Sequence, residues 1–242
     1  MRATGQPQSP SAFTIVELLV VVAIIGVLVA IVVPSLSSAR YLARRAHCAS
    51  NLRNIGNAAH TYAAEQNQQF PTLYRTARPF TTYFMRTEAS GDVNLGILAM
   101  EGYSPLPLAY YCVSQEAMRN ASVTYNGLDN PWDGTQFRSS YPARLIEVDG
   151  QPMPPDKKTK WNTLQYGRNR VVYSDFLGVD GFEEDGVIVG VLRAPHRARG
   201  YNRLFGEGSV RWAEPGPLTS QIDDQAPTPE KQVEYYEELD EL

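Results

Sequence analysis

The feature that most constrains this chain is an unbroken apolar run, Leu18 to Val33, with a single acid in front of it. Its sixteen residues are all apolar or Gly. As a helix at ~1.5 Å per residue they span about 24 Å, and Ile15, Val16 and Leu36 bring the length close to the roughly 30 Å hydrocarbon core of a bilayer. A helix that is apolar on every face has no wet side, so lipid or a bundle of like helices must surround it. Glu17 stands at the start of the run. A carboxylate just inside hydrocarbon costs about 2.5 to 3.5 kcal/mol and normally has a partner. No Lys or Arg lies within a helical turn of Glu17. Its best candidate partner is an α-amino group freed by cutting the chain before Phe13, in its own chain or a neighbour.

Around this run the 242 residues divide into five parts. Residues 1–12 form a short polar leader, residues 13–35 a helix suited to lipid or to a bundle of like helices, and residues 36–67 an amphipathic continuation. Residues 68–215 are long enough for a globular head with a real core. Residues 216–242 are Pro-rich and then acidic, and read as a mobile, solvated tail or a partner-docking strip, with a short helix open to Glu230–Leu242. The net charge is −4, and the soluble part has no Lys/Arg block, which argues against a nucleic-acid partner. Cys48 and Cys112 allow one pairing. They are either a disulfide, which the outer side of a membrane permits, or two buried small hydrophobes.

Two ordinary readings compete for the N-terminus. One is a secretory signal peptide, for which Ser37-Ser38-Ala39 offers a small-x-small cut site. The run is longer than the usual apolar region of such signals and carries an acid near its start, which weighs against it. The other is a plain uncleaved anchor. The phrase Ala12-Phe13-Thr14-Ile15-Val16-Glu17-Leu18-Leu19, followed by the apolar run, points elsewhere. It resembles the class III signal of type IV prepilins and type II secretion pseudopilins. That resemblance implies cleavage between Ala12 and Phe13 by a prepilin peptidase, N-methylation of Phe13, and pairing of Glu17 with a neighbouring subunit's amine during assembly. Gly26 and Pro34 match positions where that family often has Gly and Pro, and Ala12 replaces its usual Gly. Positive-inside counting disagrees on orientation: Arg2 precedes the helix, whereas Arg40, Arg44 and Arg45 follow it. The resemblance places the head outside, and the Phe13 cut site and Glu17 make sense only that way round.

Beyond Pro34, apolar residues recur every three or four positions from Leu36 through Leu42, Leu52, Ile55 and Ala59 to Tyr62. This spacing predicts one face of an amphipathic helix, bent near Pro34 and stopped by Gln66 to Gln69 and Pro71. His47 and His60 are expected to face solvent or pack along the helix. Cys48-Ala49-Ser50-Asn51-Leu52-Arg53-Asn54-Ile55-Gly56 is similar to a Cys-x-x-Asn-Leu-x-x-Ile-Gly pattern of the DUF1559 prepilin-like subgroup. Its members carry a head behind a long N-terminal helix. The fold implied is α+β and pilin-like, a long helix packed on a small antiparallel sheet.

In the head, Tyr110 to Ser114, Arg144 to Val148, Val171 to Asp175 and Val187 to Leu192 read as strands. Asp149-Gly150 reads as a hairpin turn. Tyr-Cys-x-Ser at 111–114 resembles a Phe/Tyr-Cys-Pro-Ser element of the same subgroup, with Val113 in place of Pro. Tyr201 to Phe205, Gly206-Glu207-Gly208 and Ser209 to Trp212 predict a second hairpin. With His196, Asn202, Glu207 and Gly208 it resembles the subgroup's C-terminal signature. It departs in having Glu207 where Asp is usual, one residue farther from His196.

No catalytic site is expected. Ser174-Asp175 with His196 suggests a hydrolase triad, but no nucleophile elbow supports it, and no phosphate-cradling or metal-protease motif occurs. Asp175, Asp180, Glu183 and Asp185 cluster in an acidic, Gly-bearing loop whose oxygen ligands suit Ca²⁺, without the spacing of an EF-hand. Otherwise no cofactor is expected. The reading is a structural subunit of a type II secretion or type IV pilus-type filament. It passes through the inner membrane with its head in the periplasm, and its partners are prepilin peptidase and like subunits. The alternative is a single-pass anchored extracytoplasmic binding domain or enzyme that uses such a signal without polymerising.

Overall fold

A computed structural model describes residues 14–71, 84–87, 91–92, 94–104, 107–114, 137–144, 147–148, 151–152, 168–175, 178–184, 187–193, 196, 199–218 and 229–242. The chain forms two compact units, Met1–Leu42 and Ala43–Leu242. One helix, α1 (Ile15–Glu65), contributes to both and carries Pro34 inside it. α1 is long and apolar enough to cross a membrane. Its start is a capping box: the Thr14 backbone N–H and hydroxyl donate to Glu17 Oε2 at 2.9 and 2.8 Å, and the Glu17 N–H donates to Thr14 Oγ1 at 3.2 Å. Every large hydrophobic from Ile15 to Leu36 is exposed, from 83% at Ile15 to 44% at Leu36.

In the second unit α1 buries Cys48, Asn51, Leu52, Ile55, Gly56, Ala58, Ala59 and Ala63. This is the expected three-to-four spacing, although the buried face begins at Cys48 rather than Leu36, which stays exposed with Leu42. His47 is exposed, and His60 meets the edge of Phe70. The helix closes where Asn67 (φ 54°) and Gln68 (φ 64°) turn left-handed and the Gln68 N–H reaches back to the Ala63 carbonyl at 2.7 Å.

The head is α+β, as expected. β1 (Phe84–Thr87) is flanked by β2 (Gly91–Asp92) and β3 (Phe137–Arg138), with α2 (Leu95–Met100) following. β4 (Glu147–Val148) and β5 (Gln151–Pro152) pair antiparallel with Val148 opposite Gln151, the register expected of a two-residue turn, while Asp149 and Gly150 themselves lie outside the described residues. β6 (Val171–Ser174) joins β9 (Tyr201–Phe205), which pairs with β10 (Val210–Ala213) to give the sheet β10-β9-β6. β7 (Gly178–Glu184) and β8 (Val187–Arg193) form a separate hairpin. The acidic stretch expected as a loop is thus largely strand, because a continuous seven-pair register with the β-branched segment Val187–Val191 organises it.

Leu52, Ile55 and Ala59 of α1 share a core with Met85, Leu95, Leu98, Tyr110, Tyr141, Tyr173 and Leu204. Gly56 packs directly on Leu204: a Cβ there would lie 2.9 Å from Leu204 Cδ1. Two expectations are corrected. Tyr110 to Ser114 is not a strand. Tyr110 closes a 3₁₀ turn from Pro107, whose fixed φ favours a turn, and its carbonyl accepts the Ser140 N–H at 2.9 Å. The acidic tail does not end as a mobile strip. It forms α3 (Pro229–Glu241), which buries Tyr235, Tyr236 and Leu239 while Glu234, Glu237 and Glu241 are exposed. Asp240 pins it: its carboxylate accepts Arg144 Nη1 at 2.8 Å and the Val171 N–H at 2.7 Å.

Candidate functional site

A buried polar cluster of the head lies where three chain segments meet the α1 disulfide. Pairing of β6 with β9 sets Ser174 opposite Arg203, so the next residues, Asp175 and Asn202, also face each other. The Asp175 N–H donates to the Asn202 carbonyl at 3.2 Å, while the Asn202 N–H donates to Asp175 Oδ1 at 2.6 Å. Asn202 Nδ2 donates to Asp175 Oδ2 at 2.8 Å and to the Arg45 carbonyl of α1 at 3.3 Å. His196 Nε2 lies 2.8 Å from the same Asp175 Oδ2, and both side chains are sealed from solvent.

His196 reaches inward from a left-handed backbone (φ 53°), a conformation uncommon outside Gly. Its ring meets the edge of Trp212 at 5.3 Å between centroids, and the Arg45 guanidinium lies 3.9 Å from the centre of that indole. Gly200 makes this fit possible. Its φ is 148°, and a Cβ there would come within 2.2 Å of the Ala213 carbonyl and 2.5 Å of the Trp212 ring. Cys48 and Cys112 are bonded as a disulfide, with Cα atoms 5.2 Å apart, which resolves the alternative left open by the sequence. Cys112 Sγ lies 3.7 Å from His196 Nε2. Cys48, Cys112, Asp175 and His196 therefore present one donor atom each, all within 4.8 Å of one another and all buried.

Within that cluster stand the Cys48 of the helix phrase and the His196 and Asn202 of the C-terminal hairpin. Residues 37–99 match the family described as "Protein of unknown function (DUF1559)". The DUF1559 stretch takes in Cys48 to Gly56, the phrase that carries the resemblance, and ends before Cys112, Asp175 and His196. The apolar first part of α1, ahead of the matched residues, fits a prepilin-like signal. No curated protein and no solved structure matches the chain.

The four residues read from the sequence as a C-terminal signature, all beyond the matched stretch, separate into two places. His196 and Asn202 converge on Asp175. Glu207 and Gly208 form the β9–β10 turn, where Gly208 has φ 92° and Glu207 Oε1 accepts Ser209 Oγ at 2.7 Å and Arg211 Nη2 at 2.6 Å. The Ser209 hydroxyl, followed by Arg211, holds the Glu207 carboxyl below the ordinary carboxylate range. The acid beside His196 is thus Asp175. Ser174 does not complete a triad: its hydroxyl donates to the Asn202 carbonyl at 3.0 Å. Of the residues considered for calcium, Asp175 turns inward to His196 and Asn202, Asp180 and Glu183 lie on β7, and Asp185 falls outside the described residues. Ala12 and Phe13 also fall outside them, whereas Leu18, Gly26, Val33 and Pro34 lie along α1.

Sequence reasoning did not bring Asp175, His196 and Asn202 together with the cysteines. The sequence set Asp175 beside His196 only within the hydrolase-triad reading; it is the β6–β9 pairing that places Asp175 beside Asn202. The Thr14-x-x-Glu17 capping box was also legible as a motif.

Proposed function

We propose that this chain is a pilin-like structural subunit of a type II secretion or type IV pilus-type filament. A prepilin peptidase cuts between Ala12 and Phe13 and methylates the new amine. The apolar half of α1 then leaves the inner membrane for a bundle of like helices, and the head decorates the outside. The exposure of every large hydrophobic from Ile15 to Leu36 carries this reading. Such a surface has no use in water and suits a heterologous interface that repeats without closing. The Cys48–Cys112 disulfide supports a head on the oxidising side of the membrane, against the count of basic residues. No active site or cofactor is needed, and the net charge of −4 gives no reason to expect nucleic acid.

A second reading, an anchored extracytoplasmic domain that does not polymerise, draws on one observation. Glu17 is already engaged by Thr14 of its own chain and does not require a neighbour's amine to be hydrogen-bonded. The test is intact mass and N-terminal sequencing of the membrane-derived protein, with and without the prepilin peptidase. The expected result is a chain that begins at N-methyl-Phe13 only when the peptidase is present. A start at Met1 would leave an anchored domain, and a start at Arg40 would mean ordinary secretion.

A further inference from the structure

We propose that the dithiol form of the head holds one zinc-class divalent cation between Cys48 Sγ, Cys112 Sγ, His196 Nε2 and Asp175 Oδ2, in a state that excludes the disulfide. The four donor atoms already lie within 4.8 Å of one another. A tetrahedral shell with metal–sulfur bonds of about 2.3 Å and metal–nitrogen or –oxygen bonds of about 2.0 to 2.2 Å sets its donors roughly 3.3 to 3.8 Å apart. Cys112 Sγ and His196 Nε2 stand at 3.7 Å. His196 Nε2 and Asp175 Oδ2 stand at 2.8 Å and need to part by about half an ångström to reach the edge length of such a shell. The two sulfurs, once the bond between them is gone, need only a rotamer adjustment to reach the same spacing.

The donor chemistry selects the ion. Two thiolates and an imidazole favour zinc-class cations, whereas calcium and magnesium prefer shells of oxygen. An outer shell is also built. Asn202 holds both carboxylate oxygens of Asp175, through its backbone N–H at 2.6 Å and its side chain at 2.8 Å, and so orients the ligand. The donors come from α1, the segment after the 3₁₀ turn, the end of β6 and the connection to β9. A cation at their centre joins four segments where the disulfide joins two. Because all four residues are buried, the ion enters while the head closes, which couples loading to folding.

The two states are linked by a balanced exchange. A phosphine reductant gives two electrons to the disulfide and is oxidised to the phosphine oxide with oxygen from water. The sulfurs become thiols, and they lose two protons when the cation binds. In reverse, a diazene oxidant takes two electrons from the thiolates and two protons from solvent to become a hydrazine. The Cys48–Cys112 bond forms and the cation leaves as its aquo ion.

The test uses the full-length chain in detergent, unfolded, reduced with phosphine and refolded with Co²⁺ as the probe. One Co²⁺ per chain is expected, with thiolate-to-cobalt charge-transfer absorption and intense tetrahedral d–d bands that Zn²⁺ abolishes. Diazene should erase the bands and release one cation for every two electrons taken. His196→Ala or Asp175→Ala should weaken cation binding at least tenfold, and His47→Ala with His60→Ala should leave it unchanged. X-ray absorption of the wild-type zinc complex keeps the answer independent of any variant's folding: two sulfur and two nitrogen or oxygen ligands are expected. Four sulfurs, no sulfur, weak octahedral bands, or equal uptake by Cys48→Ser with Cys112→Ser would overturn the proposal. So would a reduced chain that fails to refold with the cation as well as without it. Refolding only in its presence is the expected coupling.

Discussion

Asp175 and Asn202 hold one another by three hydrogen bonds, two of them between backbone and backbone or backbone and carboxylate, and one between side chains. Asn202 extends the grip to the Arg45 carbonyl, and Asp175 extends it to His196. The pair therefore ties β6, β9, α1 and the disulfide region together. Asn202→Ala removes one donor from a sealed carboxyl and one from the Arg45 carbonyl. The expected loss is about 2 to 4 kcal/mol, since buried groups left without a partner keep their desolvation cost. Urea unfolding at unchanged m-value measures it.

Removing the disulfide tests how much the head depends on it. Cys48→Ser with Cys112→Ser frees a loop spanning 64 positions in sequence. In metal-free buffer the expected loss is about 4 kcal/mol, mainly because the unfolded chain regains its freedom. The check is the denaturant midpoint of the variant against that of the oxidised wild type.

The docked α3 makes a prediction contrary to a solvated tail. Leu239 and Tyr236 are fully buried, and the Tyr236 hydroxyl donates to the Pro142 carbonyl. Leu239→Ala should cost about 2 to 5 kcal/mol, and Tyr236→Phe about 1 kcal/mol. Asp240→Ala strips a part-buried carboxylate from Arg144 and from the Val171 N–H and should cost about 2 to 3 kcal/mol. Thermal melts that do not move on Asp240→Ala would sink the idea that α3 belongs to the head.

Alkaline stability follows from buried phenols. Burial raises Tyr110 to about 12, and burial also raises Tyr173 and Tyr236. A raised folded value means that the neutral form is favoured in the fold, so the contribution is complete below the unfolded tyrosine value of about 10. It is lost as pH climbs through the folded values. Denaturant midpoints should hold to about pH 10 and then fall toward pH 12, and ultraviolet titration should show these phenols ionising with unfolding rather than before it.

Glu17 separates its two roles by a conservative change. Glutamine can still complete the capping box with Thr14, but it cannot pair with an amine. Under the filament reading, Glu17→Gln inserts into membranes and is processed, yet fails to assemble like Glu17→Ala. Assembly of Glu17→Gln at the wild-type level, scored by pelleted filaments, would leave only the cap.

The elements with local signals were legible. The apolar run and the recurrence through Ile55 and Ala59 give α1, and the Asp149-Gly150 and Gly206-Glu207-Gly208 turns give two hairpins in register. The cluster at Asp175 was not, because its members are up to 154 positions apart when Cys48 is compared with Asn202, and only sheet pairing and one disulfide bring them together. In the tail, the density of Glu obscured a stripe in which Tyr235, Tyr236 and Leu239 share one helical face closely enough to be buried. At 110–114, aromatic and β-branched content argued for a strand, and the Pro107 turn prevailed.

The Cys48–Cys112 bond also sets how the head would answer a pull. Force entering along α1 and leaving beyond Cys112 crosses the sulfur bridge, so the intervening segment carries no load even if its packing fails. About 220 Å of contour length is thereby withheld from extension. A head built this way yields in short steps while oxidised, and releases a long tether only after the bridge is cut.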